Sequence, residues 1–161
     1  LADDFAEQGY VALAVDLYAG ETADTPAQAG TLAGAVREDT DAAFANLSWL
    51  KTPVHMGGFE HGYQSYPCLY QPERITPESV PRINKKRNDW MDRLQQVGIS
   101  TRPATHAVHM LTFYRDKYCL KPTDFPNAYA ANDCSISLPL FHGMTEAEQS
   151  FVMEKVAESI A

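Results

Sequence analysis

No apolar run in this 161-residue sequence approaches the roughly 20 residues that a membrane helix needs. Cysteine is scarce and odd in number: Cys68, Cys119 and Cys134, with no CxxC pair. That argues against a disulfide framework or a structural zinc site. Each cysteine sits among apolar residues, where a buried, inert thiol is expected, and a reducing, cytoplasmic setting fits. The opening LADDFAEQGY has no positive n-region, so no signal peptide is expected. It also has no initiating Met, which suggests a reading frame that starts upstream. Basic charge is nearly missing at the front: residues 1–50 hold nine Asp/Glu against Arg37 alone, while residues 51–161 hold twelve of each sign. Neither half offers the basic surface of a nucleic-acid binder. The cluster Arg82, Lys85, Lys86, Arg87 is expected to be a solvated helix face.

Proline is equally uneven, with Pro26 alone before Lys51 and nine after it. The shift in charge and proline predicts that two pieces meet near Lys51, giving units at 1–50 and 52–161. In the first, Leu1, Phe5 and Ala6 suit a short helix stopping at Gly9. YVALAVDLY reads as a strand buried on both faces. A loop follows, and Glu38 to Leu50 reads as a helix with Phe44, Leu47, Trp49 and Leu50 toward a core. This is a slice of an α/β sheet, since a lone central strand leaves its edges unpaired.

The stretch FAEQGYVALAVDLYAGETADTPAQAGTL and the helix ending ANLSWLK resemble the dienelactone hydrolase family. That resemblance implies a Cys nucleophile on a strand-to-helix elbow, served by His and Asp. VHMGGF places His55 where the nucleophile belongs, and Val15 stands where the family shows Pro. The hydrolase machinery is therefore expected to be missing, and Asp16 is read as a loop-capping residue.

From Lys51 onward, YQSYPCLY alternates and reads as a strand, with Pro67 favouring an edge or a bulge. An amphipathic helix is predicted from about Arg82 to Val97, with Ile83, Trp90, Met91, Leu94 and Val97 on one stripe and Gly98 closing it. ISTR reads as a short strand. AVHMLTFYRDKY reads as a helix with Val108, Leu111, Tyr114 and Tyr118 on one side. CSISLPLF reads as a strand. Thr145 and Glu148 form a capping box opening a last helix that carries Phe151, Val152, Val156 and Ile160. The fold class is α/β with α+β layering, helices on a small sheet.

HGYQSYPCLY, RNDWMDRLQQVGISTRPATHAVHMLTFYRDKY and PTDFPNAYAANDCSISLPLFHGMTEAEQSFV together resemble the C-terminal small domain of DegT/StrS-type sugar aminotransferases. The resemblance runs from about Thr52 to the end. It implies the PLP-dependent aminotransferase fold and amino transfer to a keto-sugar nucleotide, with PLP held by a lysine and acting as an electron sink. That lysine belongs to the family's large domain, for which residues 1–50 are no substitute. None of Lys51, Lys85, Lys86, Lys117, Lys121 and Lys155 sits in the family's cofactor motif, so PLP binding and turnover by this chain alone are not expected.

The segment STRPATHAVH carries most of the chemistry. Arg102 can pair a phosphate or carboxylate through its planar fork, or serve as a surface or capping contact. His106 and His109 are three apart and suited to one helix face, but two ligands are too few for zinc. For His109 the resemblance implies substrate contact or orientation; the alternative is a hydrogen bond that stabilises the turn. His61 and Tyr63 either approach the same cleft or are core. His55 and His142 are read as solvated turn residues. Three readings compete: an incomplete sugar aminotransferase, a dienelactone-hydrolase-type fragment, and a non-catalytic module pairing with a complete aminotransferase or with its own copy. The first is favoured, with a sugar nucleotide as substrate and no nucleic-acid or membrane partner.

Overall fold

A computed structural model describes residues 40–54, 57–58, 64–141 and 144–159. The readings for residues 1–39, and those for His55, His61, Tyr63, His142 and Ile160, fall outside the described residues. Three antiparallel strands form a sheet in the order β1-β2-β3: β1 at Leu50–Lys51, β2 at Tyr66–Tyr70 and β3 at Ser135–Leu138. Among the described residues, beyond the helical residues 40–44, four helices accompany it: α1 at Val80–Gln96, α2 at Thr112–Tyr118, α3 at Pro126–Cys134 and α4 at Glu146–Glu158. Short 3₁₀ turns at Val108–Met110 and Pro122–Asp124 flank α2.

β2 pairs with β3 over Tyr66↔Leu138 to Leu69↔Ser135, and with β1 through Leu50↔Tyr70 and Lys51↔Leu69. Pro67 thus sits in the middle strand, where a missing donor would normally break a ladder. The register explains why it is tolerated. Gln71 N–H donates to the Trp49 carbonyl at 2.6 Å. Strand N–H groups alternate sides, so the absent N–H of Pro67 points toward β1, beyond the end of that two-residue strand. The expected edge position holds for this one atom and not for the strand.

The helix read over Glu38 to Leu50 is cut short. Residues 40–44 are helical, the chain then turns, and Leu50 enters β1. Asn46 and Ser48 favour turns over helix, and Leu47 N–H and Leu50 N–H close tight turns onto Phe44 and Leu47 carbonyls. The anticipated core residues still reach the core: Phe44 and Leu50 are buried, and Leu47 and Trp49 pack against them. Tyr66 donates its hydroxyl proton to Asp41, and Gln149 of α4 reaches Thr40 at 2.9 Å. Packing is therefore continuous across Lys51, and the expected division there coincides with no gap among the described residues.

α1 buries Val80, Ile83, Trp90 and Leu94. Trp90 stacks on Tyr70 at 5.3 Å, meets Trp49 edge-on at 5.2 Å, and donates its indole N–H to Ser159 Oγ at 2.7 Å. Val97, expected on that stripe, is exposed, because the helix has already closed. Ile99 N–H bonds to the Leu94 carbonyl and Gly98 N–H to that of Gln95, with Gly98 at φ 85°. This is a Schellman stop, and glycine supplies its left-handed residue without strain. The basic cluster divides. Arg82 and Lys86 pair with Glu73, and Lys85 pairs with Asp89, all in solvent. Arg87 instead is buried and gives Nη1–H to the Ser135 carbonyl at 2.6 Å; burial lowers its pKa, with Asp133 opposing. The solvated-face reading fails there because position 87 falls on the same stripe as Ile83 and Trp90.

Two further expectations are corrected. ISTR forms a single bridge, Arg102↔Ser137, in place of a strand. Val108, Leu111, Tyr114 and Tyr118 are exposed, and α2 buries no residue. α3, with Pro126 at its start, was not anticipated; its Cys134 is buried and its Tyr129 and Ala130 pack on the core. β3 ends before Pro139, shorter than CSISLPLF suggested. α4 carries the capping box: Thr145 N–H donates to Glu148 Oε2 at 2.8 Å, and Glu148 N–H to Thr145 Oγ1 at 3.2 Å. Val152 and Val156 are buried, but Phe151 lies off that stripe and is exposed. Among the described residues, no helix is long and apolar enough to cross a membrane.

Candidate functional site

A cleft of about 590 Å³ opens between the 98–102 turn, the end of β3 and the first turns of α4. Ile99, Leu138, Leu140, Met144, Phe151 and Val152 give it apolar walls, while Gln64, Ser100, Thr101, Arg102 and Glu148 supply polar atoms. An apolar hollow with a few convergent polar groups is the usual form of a small-molecule site. The Arg102 backbone is fixed by its bridge: Ser137 N–H donates to the Arg102 carbonyl at 2.7 Å, and Arg102 N–H to the Ser137 carbonyl at 3.4 Å. Its side chain is exposed and has no partner among the described residues. The arrangement offers a free, permanently charged fork to an anion. Glu148 is held below the ordinary carboxylate range, chiefly by its hydrogen bond from Thr145 N–H, and is ionised at neutral pH.

Behind Arg102 the chain is tied down. Ala104 N–H donates to Ser135 Oγ at 3.3 Å and Ala107 N–H to Asn132 Oδ1 at 2.8 Å. His109 is buried, with Nε2 3.1 Å from the Pro122 carbonyl and its ring 4.9 Å from that of Phe125. A carbonyl only accepts, so Nε2 carries the proton. His106 is exposed. The two histidines therefore share no helix face: one points to solvent, the other into the turn. The structure brings Arg102 to the cleft and leaves both histidines out of its lining. Among the described residues, no group of three or more His, Cys, Asp or Glu can hold a metal. The sequence marks Glu148 as a cap and Phe151 as a core residue, not as cleft lining; the apolar run SLPLF, longer than the strand it feeds, is the sequence signal for the cleft wall.

A Schiff-base cofactor needs an amine that can shed its proton. Lys85, Lys86 and Lys155 are held in ion pairs, and the hydrogen bonds that Lys155 donates to Glu158 and Glu154 raise its pKa further. Lys117 lies over the Phe113 and Tyr118 rings. Lys51 and Lys121 are exposed. None lines the cleft, so these amines do not fit a PLP anchor. The thiols fare no better as nucleophiles. Burial, aided by Asp41, pushes Cys68 up to about 12, and burial, aided by Asp133, pushes Cys134 up to about 11. Cys119, expected to be buried, is exposed at the left-handed end of α2.

The helix-on-sheet unit that frames this cleft recurs inside larger sugar aminotransferases. Spr1654 of Streptococcus pneumoniae, provisionally named a sugar aminotransferase, superposes with a TM-score of 0.66 at 20% identity, over 82% of this chain and 30% of its own. Helicobacter pylori PseC, an aminotransferase involved in the biosynthesis of pseudoaminic acid, gives 0.62 at 13% identity, over 82% and 32%. An uncharacterized protein of Methanocaldococcus jannaschii is 30% identical over 118 residues, 73% of this chain and 28% of the relative. Residues 73–157 match the DegT/DnrJ/EryC1/StrS aminotransferase family, and the chain belongs to that family. It spans less than a third of the length of each of these relatives. A 118-residue match in a 161-residue chain must begin at or before residue 44, upstream of the expected boundary. The resemblance of residues 1–50 to dienelactone hydrolases receives no support from these matches.

Proposed function

We propose that the chain is the C-terminal small-domain portion of a PLP-dependent aminotransferase acting on a keto-sugar nucleotide in the cytoplasm, and that it does not turn over alone. The aminotransferase-like unit in this reading begins by about residue 40, because residues 40–51 share its core. Arg102 contacts the anionic part of the substrate. The observation that carries this is its partnerless guanidinium at the lip of the apolar cleft, on a backbone clamped to Ser137. His109 orients the turn behind Arg102 through the Pro122 carbonyl; His106, His61 and Tyr63 are proposed as further substrate contacts. The cofactor supplies the electron sink, and its anchoring amine comes from the remainder of the enzyme.

The test is a chimera in which residues 40–161 replace the matching third of PseC. It is expected to retain PLP and to transaminate PseC's own substrate, with Arg102→Gln raising KM about tenfold, as expected for loss of a charge-assisted contact. Absence of turnover in a PLP-loaded chimera counts against the functional assignment. An unchanged KM in Arg102→Gln removes Arg102 from the site. Borohydride treatment of the unfused chain with PLP is expected to leave no pyridoxyl adduct; an adduct on any of its six lysines overturns the claim that the anchor lies elsewhere.

A further inference from the structure

The turn that carries Arg102 meets β3 through a single bridge, and one of its two bonds, Arg102 N–H to the Ser137 carbonyl, is 3.4 Å long. Pro103 has no N–H to give. The turn is anchored further on by Ala104 N–H on Ser135 Oγ, at 3.3 Å, and by Ala107 N–H on Asn132 Oδ1, at 2.8 Å. The shorter bond is the stronger. Ala107 is buried, where an N–H without an acceptor is costly. Both acceptors come from the end of α3. On helix propensity alone, Asn132 is a poor choice for the last turn of that helix, and such local misfits concentrate at functional positions.

The Asn132 amide faces two ways. Nδ2–H donates to the Asp133 carboxylate at 2.6 Å, which leaves Oδ1 for the Ala107 N–H. A carboxylate only accepts and an N–H only donates, so the two neighbours together fix the orientation of the amide. α1 secures the same segment from the other side. Buried Arg87 gives Nη1–H to the Ser135 carbonyl at 2.6 Å, and Asn84 donates to the Asp133 carbonyl at 2.8 Å. α1 thus holds the end of α3, and the end of α3 holds the turn.

We propose that Asn132 is a positioning residue for Arg102: through the Ala107 N–H it sets the turn from which the guanidinium reaches the cleft. This rests on the function proposed above. The Arg102 side chain has no partner among the described residues, so its backbone alone sets where the charge sits. A small misplacement of such a contact weakens it severely.

Two measurements test the assignment. In the full chain, Asn132→Ala is expected to speed amide exchange at Ala107 and Ser137 about tenfold more than in α1; the Ser137 N–H reports the bridge to the Arg102 carbonyl. Equal speeding throughout, or none at Ser137, overturns the proposal. In the chimera, Asn132→Ala is expected to raise KM about fivefold with kcat held within about twofold. It is expected to add nothing once Arg102→Gln is present, as for two residues serving one contact. Exchanging the pair, Asn132→Asp with Asp133→Asn, keeps an acceptor for Ala107 and a donor between the neighbours, and is expected to return KM to within about twofold of native. Additive effects, or a KM that does not recover in the exchanged pair, overturn the proposal. Asn132→Leu, which fills similar space without the acceptor, replaces Asn132→Ala if that variant does not fold. A PLP-loaded chimera without turnover counts against the functional assignment, while selective exchange at Ser137 still supports the hold on the turn. A chimera that responds to Arg102→Gln but not to Asn132→Ala removes the positioning residue and leaves the functional assignment standing.

Discussion

The α1–β2–β3 core and the 108–125 stretch carry similar aromatic residues and use them in opposite ways. In the core, Trp90, Tyr70 and Trp49 meet ring to ring, and the Trp90 indole N–H is satisfied by Ser159. In the stretch, Phe113 and Tyr114 meet each other edge-on at 5.2 Å, and Lys117 covers two rings, all in solvent. An aromatic side chain carries its stabilisation only where water is excluded. The first group therefore holds this fold together, and the second adds little to it. Substitutions that remove one ring from each region separate the two roles.

The largest effect is expected at Trp90. It is fully buried, and truncating such a ring loses transfer energy and leaves a cavity. Trp90→Ala is expected to cost about 3–5 kcal/mol, read as a fall in the urea midpoint at unchanged slope. Ser159 Oγ retains the Val156 carbonyl as a partner, so its loss of the indole adds little. A cost under about 1 kcal/mol would mean that Trp90 is not central to the core and that the contrast between the regions is drawn in the wrong place.

A middle effect tests a region that belongs to both: the start of α4, which caps a core helix and also borders the cleft. Thr145→Ala is expected to cost about 1 kcal/mol, the usual loss for an N-cap hydroxyl. pH dependence identifies the reciprocal half of the box. The Glu148 carboxyl is depressed in the fold by Thr145 N–H. Its contribution is therefore present above the ordinary glutamate value and lost as pH falls through the lower, folded value. Glu148→Gln should differ from the native chain at neutral pH and converge with it in acid, compared by thermal unfolding across that range. A gap that persists unchanged into acid would assign the box to the threonine alone.

Much of the core was legible because it obeys a period. Ile83, Trp90 and Leu94 announce one helical stripe, and Thr145 with Glu148 announces the helix that follows. The failures share a cause: each was settled by a partner distant in sequence. Leu50 leaves its helix because Gln71 is there to pair with Trp49. Arg87 is buried because the Ser135 carbonyl, 48 residues away, accepts its Nη1–H. α3 was missed because PNAYAANDC has almost no apolar stripe, and its helix is fixed by a leading proline and by Asn84 on its last turn. At the site, Arg102 was legible as a charge in a turn. The sequence allows His109 two roles, since only the fold reveals that its nitrogen meets Pro122. The two-piece division rested on a real shift in composition. Charge and proline content report surface and turns; Phe44 and Leu50 join the core that follows, while residues 1–39 of the first piece lie outside the described residues.

The smallest effect completes the contrast. Phe113→Ser removes a ring the size of that of Phe44 in the core, yet its cost to the isolated chain is expected to stay within about 0.5 kcal/mol, the range for surface positions. Serine and phenylalanine have similar helix propensities, and Lys117 keeps Tyr118 beneath it at 5.2 Å. The urea midpoint should barely move while solubility rises, because an exposed apolar group is lost. A loss above about 1.5 kcal/mol would show that α2 is already packed within this chain. In that case its aromatic residues belong to the core after all.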